Sequence, residues 1–225
     1  LPNVGINSNT VLFRNKASQG NPDENPADPE AGAFANKVLE YNPAPSQYMN
    51  TSYTAYEEGF TGIQVLARAT ELLQDRTTCL FTLGGFGGNI TVGFDHTIPN
   101  VPGEYDFKIY GNAYYDMYGT LLDKPGGNSE PGIVLVSKDT NGNGLPDDEW
   151  YELAGSEYNS PATIRNYEIT YYRPTPADGD VKWKDNQGKE GYIYRNTYHT
   201  QGSYYPAWMP AEITFRGSRL ADNSI

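Results

Sequence analysis

Hydrophobic and polar positions follow three different regimes along the chain. From Gly59 to Asp75 the apolar residues Phe60, Ile63, Leu66, Ala67 and Leu73, and more loosely Val65 and Leu72, recur near helical spacing and predict one helix. Beyond it the period becomes two. Ile90-Thr91-Val92-Gly93-Phe94 alternates, and so does Tyr105-Asp106-Phe107-Lys108-Ile109-Tyr110. Tyr167-Glu168-Ile169-Thr170-Tyr171-Tyr172, Ala211-Glu212-Ile213-Thr214-Phe215 and Trp150-Tyr151-Glu152-Leu153 read as further strands, and Ile133-Val134-Leu135-Val136 as a short buried one. Turn clusters such as Lys124-Pro125-Gly126-Gly127-Asn128 and Ala177-Asp178-Gly179-Asp180 separate them. Successive strands without intervening helices predict a mainly β fold, an antiparallel sandwich, over residues 59–225.

The first regime, residues 1–58, has neither period. Its run Asn21-Pro22-Asp23-Glu24-Asn25-Pro26-Ala27-Asp28-Pro29-Glu30 is interrupted by proline too often for helix or paired strand. It is expected to be an irregular lead-in packed on the core that follows, or else a flexible linker from an earlier domain.

Composition narrows the partners. The chain has 225 residues, enough for one large β domain. It carries 16 Lys and Arg against 28 Asp and Glu, a net charge of −12, which opposes contact with nucleic-acid phosphates. The single cysteine, Cys79, rules out an internal disulfide framework and a cysteine-based zinc site. Within Cys79-Leu80-Phe81-Thr82-Leu83 it reads as a small buried hydrophobe. No apolar run reaches the length of a membrane span. The sequence opens at Leu1 rather than methionine, from which an upstream signal peptide, removed, is expected.

One stretch carries specific chemistry. Asp139-Thr140-Asn141-Gly142-Asn143-Gly144-Leu145-Pro146-Asp147-Asp148-Glu149 sets oxygen-bearing side chains at positions 1, 3 and 5 of a calcium loop. Gly144 falls at the sharp turn, Leu145 offers a backbone carbonyl at position 7, and Asp147 follows at position 9. Position 12 is Trp150 instead of the bidentate glutamate of a helix–loop–helix site, and both flanks read as strands. The expected metal ligands are therefore Asp139, Asn141, Asn143, Leu145 and Asp147, with Asp148, Glu149 or a residue elsewhere closing the shell around a structural Ca²⁺. The competing reading is a polar hairpin held by Asx-turns without metal.

Catalytic signatures are missing. His96 and His199 have no partners at metal-ligand spacing and read as surface or turn histidines. No nucleophile elbow occurs. Gly84-Gly85-Phe86-Gly87-Gly88 lacks the lysine of a phosphate loop and precedes a strand, so close backbone packing or a bulge explains it better. The 28 carboxylates leave a glycoside hydrolase open as a minor alternative.

Tyrosine is abundant, 19 residues against 8 Phe, and clusters in loop-like stretches. Tyr114, Tyr115 and Tyr118 form one cluster and Tyr192, Tyr194 and Tyr198 a second. Tyr204, Tyr205 and Trp208 form the third. Rings on loops stack on sugars or flat macrocycles. Tyr114, Tyr115, Tyr118, Tyr204, Tyr205 and Trp208 are the expected ligand-binding residues. The plainer alternative has many of these rings capping the sandwich.

The strings Leu83–Asp95, Tyr105–Ala113 and Glu130–Ser137, with the stretch on through Glu149–Tyr158, together resemble a family of cell-surface lipoproteins from gut Bacteroidetes. They resemble more distantly the discoidin-like or galactose-binding-like jelly rolls. The resemblance covers roughly residues 59–220. It implies a jelly-roll sandwich outside the outer membrane, held by an upstream lipid anchor and associated with outer-membrane nutrient receptors, including those of cobalamin uptake. Members of that family continue past Ile225, where this chain ends. The expected function is extracellular, non-enzymatic capture of a corrinoid (vitamin B12) or a glycan. The second expectation is an adhesion or structural module that binds another protein.

Overall fold

The computed structural model describes residues 34–74, 80–98, 102–115, 126–128 and 130–221, together with the backbone of residues 9–15. Asp75, Cys79 and Tyr118 lie outside the described residues, as does the proline-rich run 21–30.

The helix forms where the spacing predicts it. α1 (Gly62–Leu73) begins at Thr61, whose hydroxyl accepts from the Gln64 amide while the Gln64 side chain accepts from the Thr61 amide at 2.9 Å. This reciprocal cap satisfies two of the donors that a helix start leaves unpaired. Val65 and Ala69, one turn apart, are buried against strand β2 (Lys37–Asn42). Thr70 ties the two elements together by accepting the Val38 amide proton at 3.1 Å. Ile63, expected on the apolar face, is instead exposed.

A five-stranded sheet carries this helix. It contains β1 (Asn9–Asn15), β2, β3 (Asn89–Gly93), β6 (Gly132–Lys138) and β7 (Trp150–Glu152), in the order β2-β3-β1-β6-β7. The outer pairs are antiparallel, but β1 runs parallel to both β3 and β6. The uniformly antiparallel arrangement expected from sequence fails at this point. The segment before Gly59, expected to be irregular, supplies both β1 and β2. The continuous apolar run Val11-Leu12-Phe13 suits a central strand flanked on both edges, where alternation is not required.

The second sheet is antiparallel throughout. β8 (Ile164–Tyr172), β9 (Val181–Asp185), β10 (Glu190–Ile193) and β11 (Glu212–Arg219) lie in the order β10-β9-β8-β11. Period two decides its faces. Tyr167, Ile169, Tyr171, Val181, Ile213 and Phe215 point to the core, while Glu168, Lys184 and Thr214 alternate outward. Ala44, Phe86, Tyr204 and Tyr205 cover the inner face. A fully buried ring contributes on the order of 2 kcal/mol, so the four buried tyrosines are a large part of this cluster's stabilisation. Each phenol finds an acceptor or donor. Tyr167 donates to Asp185 at 2.7 Å, Tyr171 to the Phe86 carbonyl at 3.2 Å, and Tyr205 to the Pro210 carbonyl at 2.6 Å. Tyr204 donates to the His199 carbonyl at 2.8 Å.

The loop 84–88 fits against this core without side chains at its glycines. A Cβ on Gly87 would lie 2.1 Å from Phe215, and one on Gly88 would lie 1.6 Å from the Leu83 carbonyl oxygen. The expectation of close backbone packing is met there.

β4 (Tyr114–Tyr115) and β5 (Gly127–Asn128) form a separate two-stranded ribbon. Other strand assignments change as well. Tyr105–Tyr110 alternates in sequence but is not a strand, and Tyr105 is 100% exposed. Alternation fixes which side chains share a face and does not by itself set a ladder of backbone hydrogen bonds. Conversely, β9 and β10 form where charge dilutes the pattern. Lys182 and Lys184 on β9 sit near Glu190 of β10, at 3.2 Å and 3.6 Å. The protein is thus mainly β with one helix. Among the described residues no helix is long and apolar enough to cross a membrane.

Candidate metal loop and aromatic surface

The polar loop joins β6 to β7, two antiparallel neighbours, so its ends are held together by the ladder Leu135↔Glu152, Val136↔Tyr151 and Ser137↔Trp150. Asp139 follows β6 directly and is 4% exposed, a carboxylate set inside the turn while most of the loop faces water. Its Oδ1 accepts from the Gly142 amide at 2.8 Å and its Oδ2 from the Gly144 amide at 2.9 Å. Two charge-assisted bonds of this kind compensate much of the cost of burying the charge.

The next two oxygens repeat the pattern. Asn141 Oδ1 accepts from the Asn143 amide at 2.9 Å, and Asn143 Oδ1 from the Leu145 amide at 2.7 Å. Asp147 closes the group from the far side, receiving Asn141 Nδ2 at 3.3 Å and Asn143 Nδ2 at 2.9 Å. The structure therefore gathers Asp139, Asn141, Asn143 and Asp147 into one polar turn. Each Asn oxygen keeps a second lone pair, and turning an amide over exchanges its NH₂ for its oxygen. Leu145 is exposed at the loop's apex.

Asp148 and Glu149, the candidates for closing the shell, are bonded to Thr140 and Tyr151. Asp148 Oδ1 accepts from both the amide and the hydroxyl of Thr140. Glu149 accepts from the Tyr151 hydroxyl at 2.6 Å, and that bond raises the Tyr151 phenol pKa. Thr140 was not singled out by the calcium pattern, in which position 2 is unspecified. Its hydroxyl beside the loop's first ligand is the available signal. Among the described residues no three His, Cys, Asp or Glu side chains gather as a metal centre. The loop's donor set instead combines two carboxylates with amide oxygens, as suits a hard cation such as calcium.

The aromatic candidates separate sharply. Tyr204 and Tyr205 are 0% exposed and belong to the core, which corrects their assignment as ligand-binding residues. Their position in a loop suggested exposure, but the loop folds inward. Asn50 draws it in: its Nδ2 donates to the carbonyls of Ser203 and Tyr205 at 3.1 Å and 2.8 Å, and its Oδ1 accepts from the Ala207 amide at 2.9 Å. Arg195 and Arg173 lie over the two rings, 4.8 Å from each centroid. Trp208 is half-buried, stacked on Tyr56 at 5.3 Å and packed against the helix-side core. Tyr115 is 76% exposed on the small ribbon, beside the backbone of Tyr114. Tyr192 and Tyr194 form an exposed tilted pair with centroids 6.0 Å apart, and Tyr198 is 91% exposed.

The histidines have local partners. His96 Nδ1 lies 2.6 Å from Asp95, and this bond lowers the Asp95 pKa. His199 packs edge-on against Tyr48 at 4.8 Å. No family model matches the chain, and no curated protein matches it.

Proposed function

We propose that this chain is a calcium-stabilised, non-catalytic binding module, folded as a jelly-roll sandwich and displayed on a bacterial outer surface through an upstream lipid anchor. Its role is nutrient capture, with a corrinoid or a glycan as ligand and an outer-membrane receptor as partner. One observation carries the calcium part. A nearly buried carboxylate, Asp139, is oriented by the amides of Gly142 and Gly144 beside Asn141, Asn143 and Asp147. These residues would hold the ion together with the Leu145 carbonyl. The ion would supply a rigid clamp between β6 and β7. Two carboxylates imply weak affinity, with Kd on the order of 10⁻⁴ to 10⁻³ M, suited to extracellular calcium.

The ligand surface rests on the resemblance to surface lipoproteins and on the exposed rings, Tyr115, Tyr192, Tyr194 and Tyr198. The Tyr192–Tyr194 pair offers two ring faces to a sugar or a corrin. Calorimetric titration with cyanocobalamin and with a glycan panel tests this reading. The expected result is heat with one ligand, lost by at least about tenfold in affinity in the Tyr194→Ala variant, as for a binding hot spot. Absence of heat with every ligand would contradict nutrient capture and leave a protein-binding adhesion module as the better account.

A further inference from the structure

Both Asn-Gly dipeptides of the chain, Asn141-Gly142 and Asn143-Gly144, stand in the same loop. In such a pair the glycine nitrogen can attack the asparagine side-chain carbonyl carbon. A C–N bond forms, ammonia leaves, and the resulting succinimide takes up one water to open as aspartate or isoaspartate. Glycine favours the reaction because no Cβ hinders the approach. All four residues are exposed, so solvent reaches them.

The folded loop nevertheless withholds both reacting groups. The two attacking nitrogens, Gly142 and Gly144, donate to the two oxygens of one carboxylate, Asp139, at 2.8 Å and 2.9 Å. The two amides that would be attacked are turned elsewhere. Their oxygens accept from the amides of Asn143 and Leu145, and their Nδ2 groups donate to Asp147. We propose that Asn141 and Asn143 form a latent modification site, a pair of spontaneous deamidation positions that Asp139 keeps closed by holding both nucleophiles.

Conversion would change the loop's chemistry. Asn143 Nδ2 lies 2.9 Å from Asp147 Oδ2. An oxygen in its place would set two carboxylates against each other, a repulsion that a cation between them would relieve. The modified loop would then depend on calcium more than the original. This second step rests on the calcium reading above, whereas the latency does not.

The full chain, folded and in urea at one mildly alkaline pH, is followed by peptide-mapping mass spectrometry over residues 139–149, with Asn159-Ser160 as an internal reference. Deamidation at Asn141 and Asn143 is expected about tenfold slower in the folded chain, the rate equivalent of a charge-assisted hydrogen bond. Asp139→Asn should fall between the two. Equal rates in folded and unfolded chain would overturn the latency, and that comparison decides the matter even if Asp139→Asn fails to fold. Melting of Asn143→Asp in calcium and in chelator tests the second step. A larger calcium-induced rise than in the unsubstituted chain supports it, and an equal or smaller one overturns that step alone.

Discussion

Residues 84–88 and residues 139–149 are both glycine-punctuated turns next to strands, yet their glycines stand in opposite surroundings. Around Gly88 the backbone is crowded. A Cβ would meet the Leu83 oxygen at 1.6 Å and the Ala44 nitrogen at 2.8 Å, where Ala44 itself donates to Leu83 at 2.9 Å. Around Gly144 the space is open, with nothing within 4 Å of a Cβ, but φ is +75°. One turn uses glycine to let three backbone segments touch. The other uses it to aim amides at a carboxylate. The first is part of the core. The second is a polar turn at the surface, and its order comes from Asp139.

Alanine substitutions separate the two causes. Gly88→Ala must displace backbone, so it is expected to destabilise by about 3 kcal/mol or more. Gly144→Ala meets only the left-handed backbone cost, about 1–2 kcal/mol. Urea unfolding midpoints of the two variants read the difference directly. Comparable losses would mean that the loop 84–88 relaxes more than its contacts suggest.

Alkaline pH sharpens the same contrast from the core side. Tyr171 donates to the Phe86 carbonyl inside the crowded turn, and burial pushes its phenol pKa up. Burial also raises those of Tyr41 and Tyr167, and holds Tyr205 up at about 12. In the unfolded chain these phenols ionise near the ordinary value, about 10. Their contribution to stability is therefore fully present below that value and is lost as pH rises toward the folded values. Unfolding midpoints should fall as pH rises from about 10 toward about 12, with ionisation of the buried tyrosines coinciding with loss of structure. A flat profile would contradict the burial of these rings.

Much of this architecture is legible in sequence where one physical requirement dominates. Strands β8 and β11 alternate because one face is core, and α1 shows both its spacing and its cap. The polar loop is readable because Asp139, Asn141 and Asn143 stand at alternate positions, where each side-chain oxygen can accept from a backbone amide a few residues on. The buried pair Tyr204 and Tyr205 is not readable, since their burial is imposed by Asn50, about 150 positions away along the chain. Tyr105–Tyr110 misleads for the converse reason: its alternation is present, yet the segment is not a strand. The central position of β1 depends on neighbours at residues 89–93 and 132–138, which no local window contains.

The most direct measurement is the melting temperature in millimolar calcium against the same solution with chelator, for the unsubstituted chain and Asp139→Asn. With calcium at about ten times a Kd near 10⁻³ M, the expected rise in the unsubstituted chain is about 3–5 °C. In Asp139→Asn the rise should be absent or much reduced. Equal melting temperatures with and without calcium in the unsubstituted chain would contradict the claim that this loop is a metal clamp.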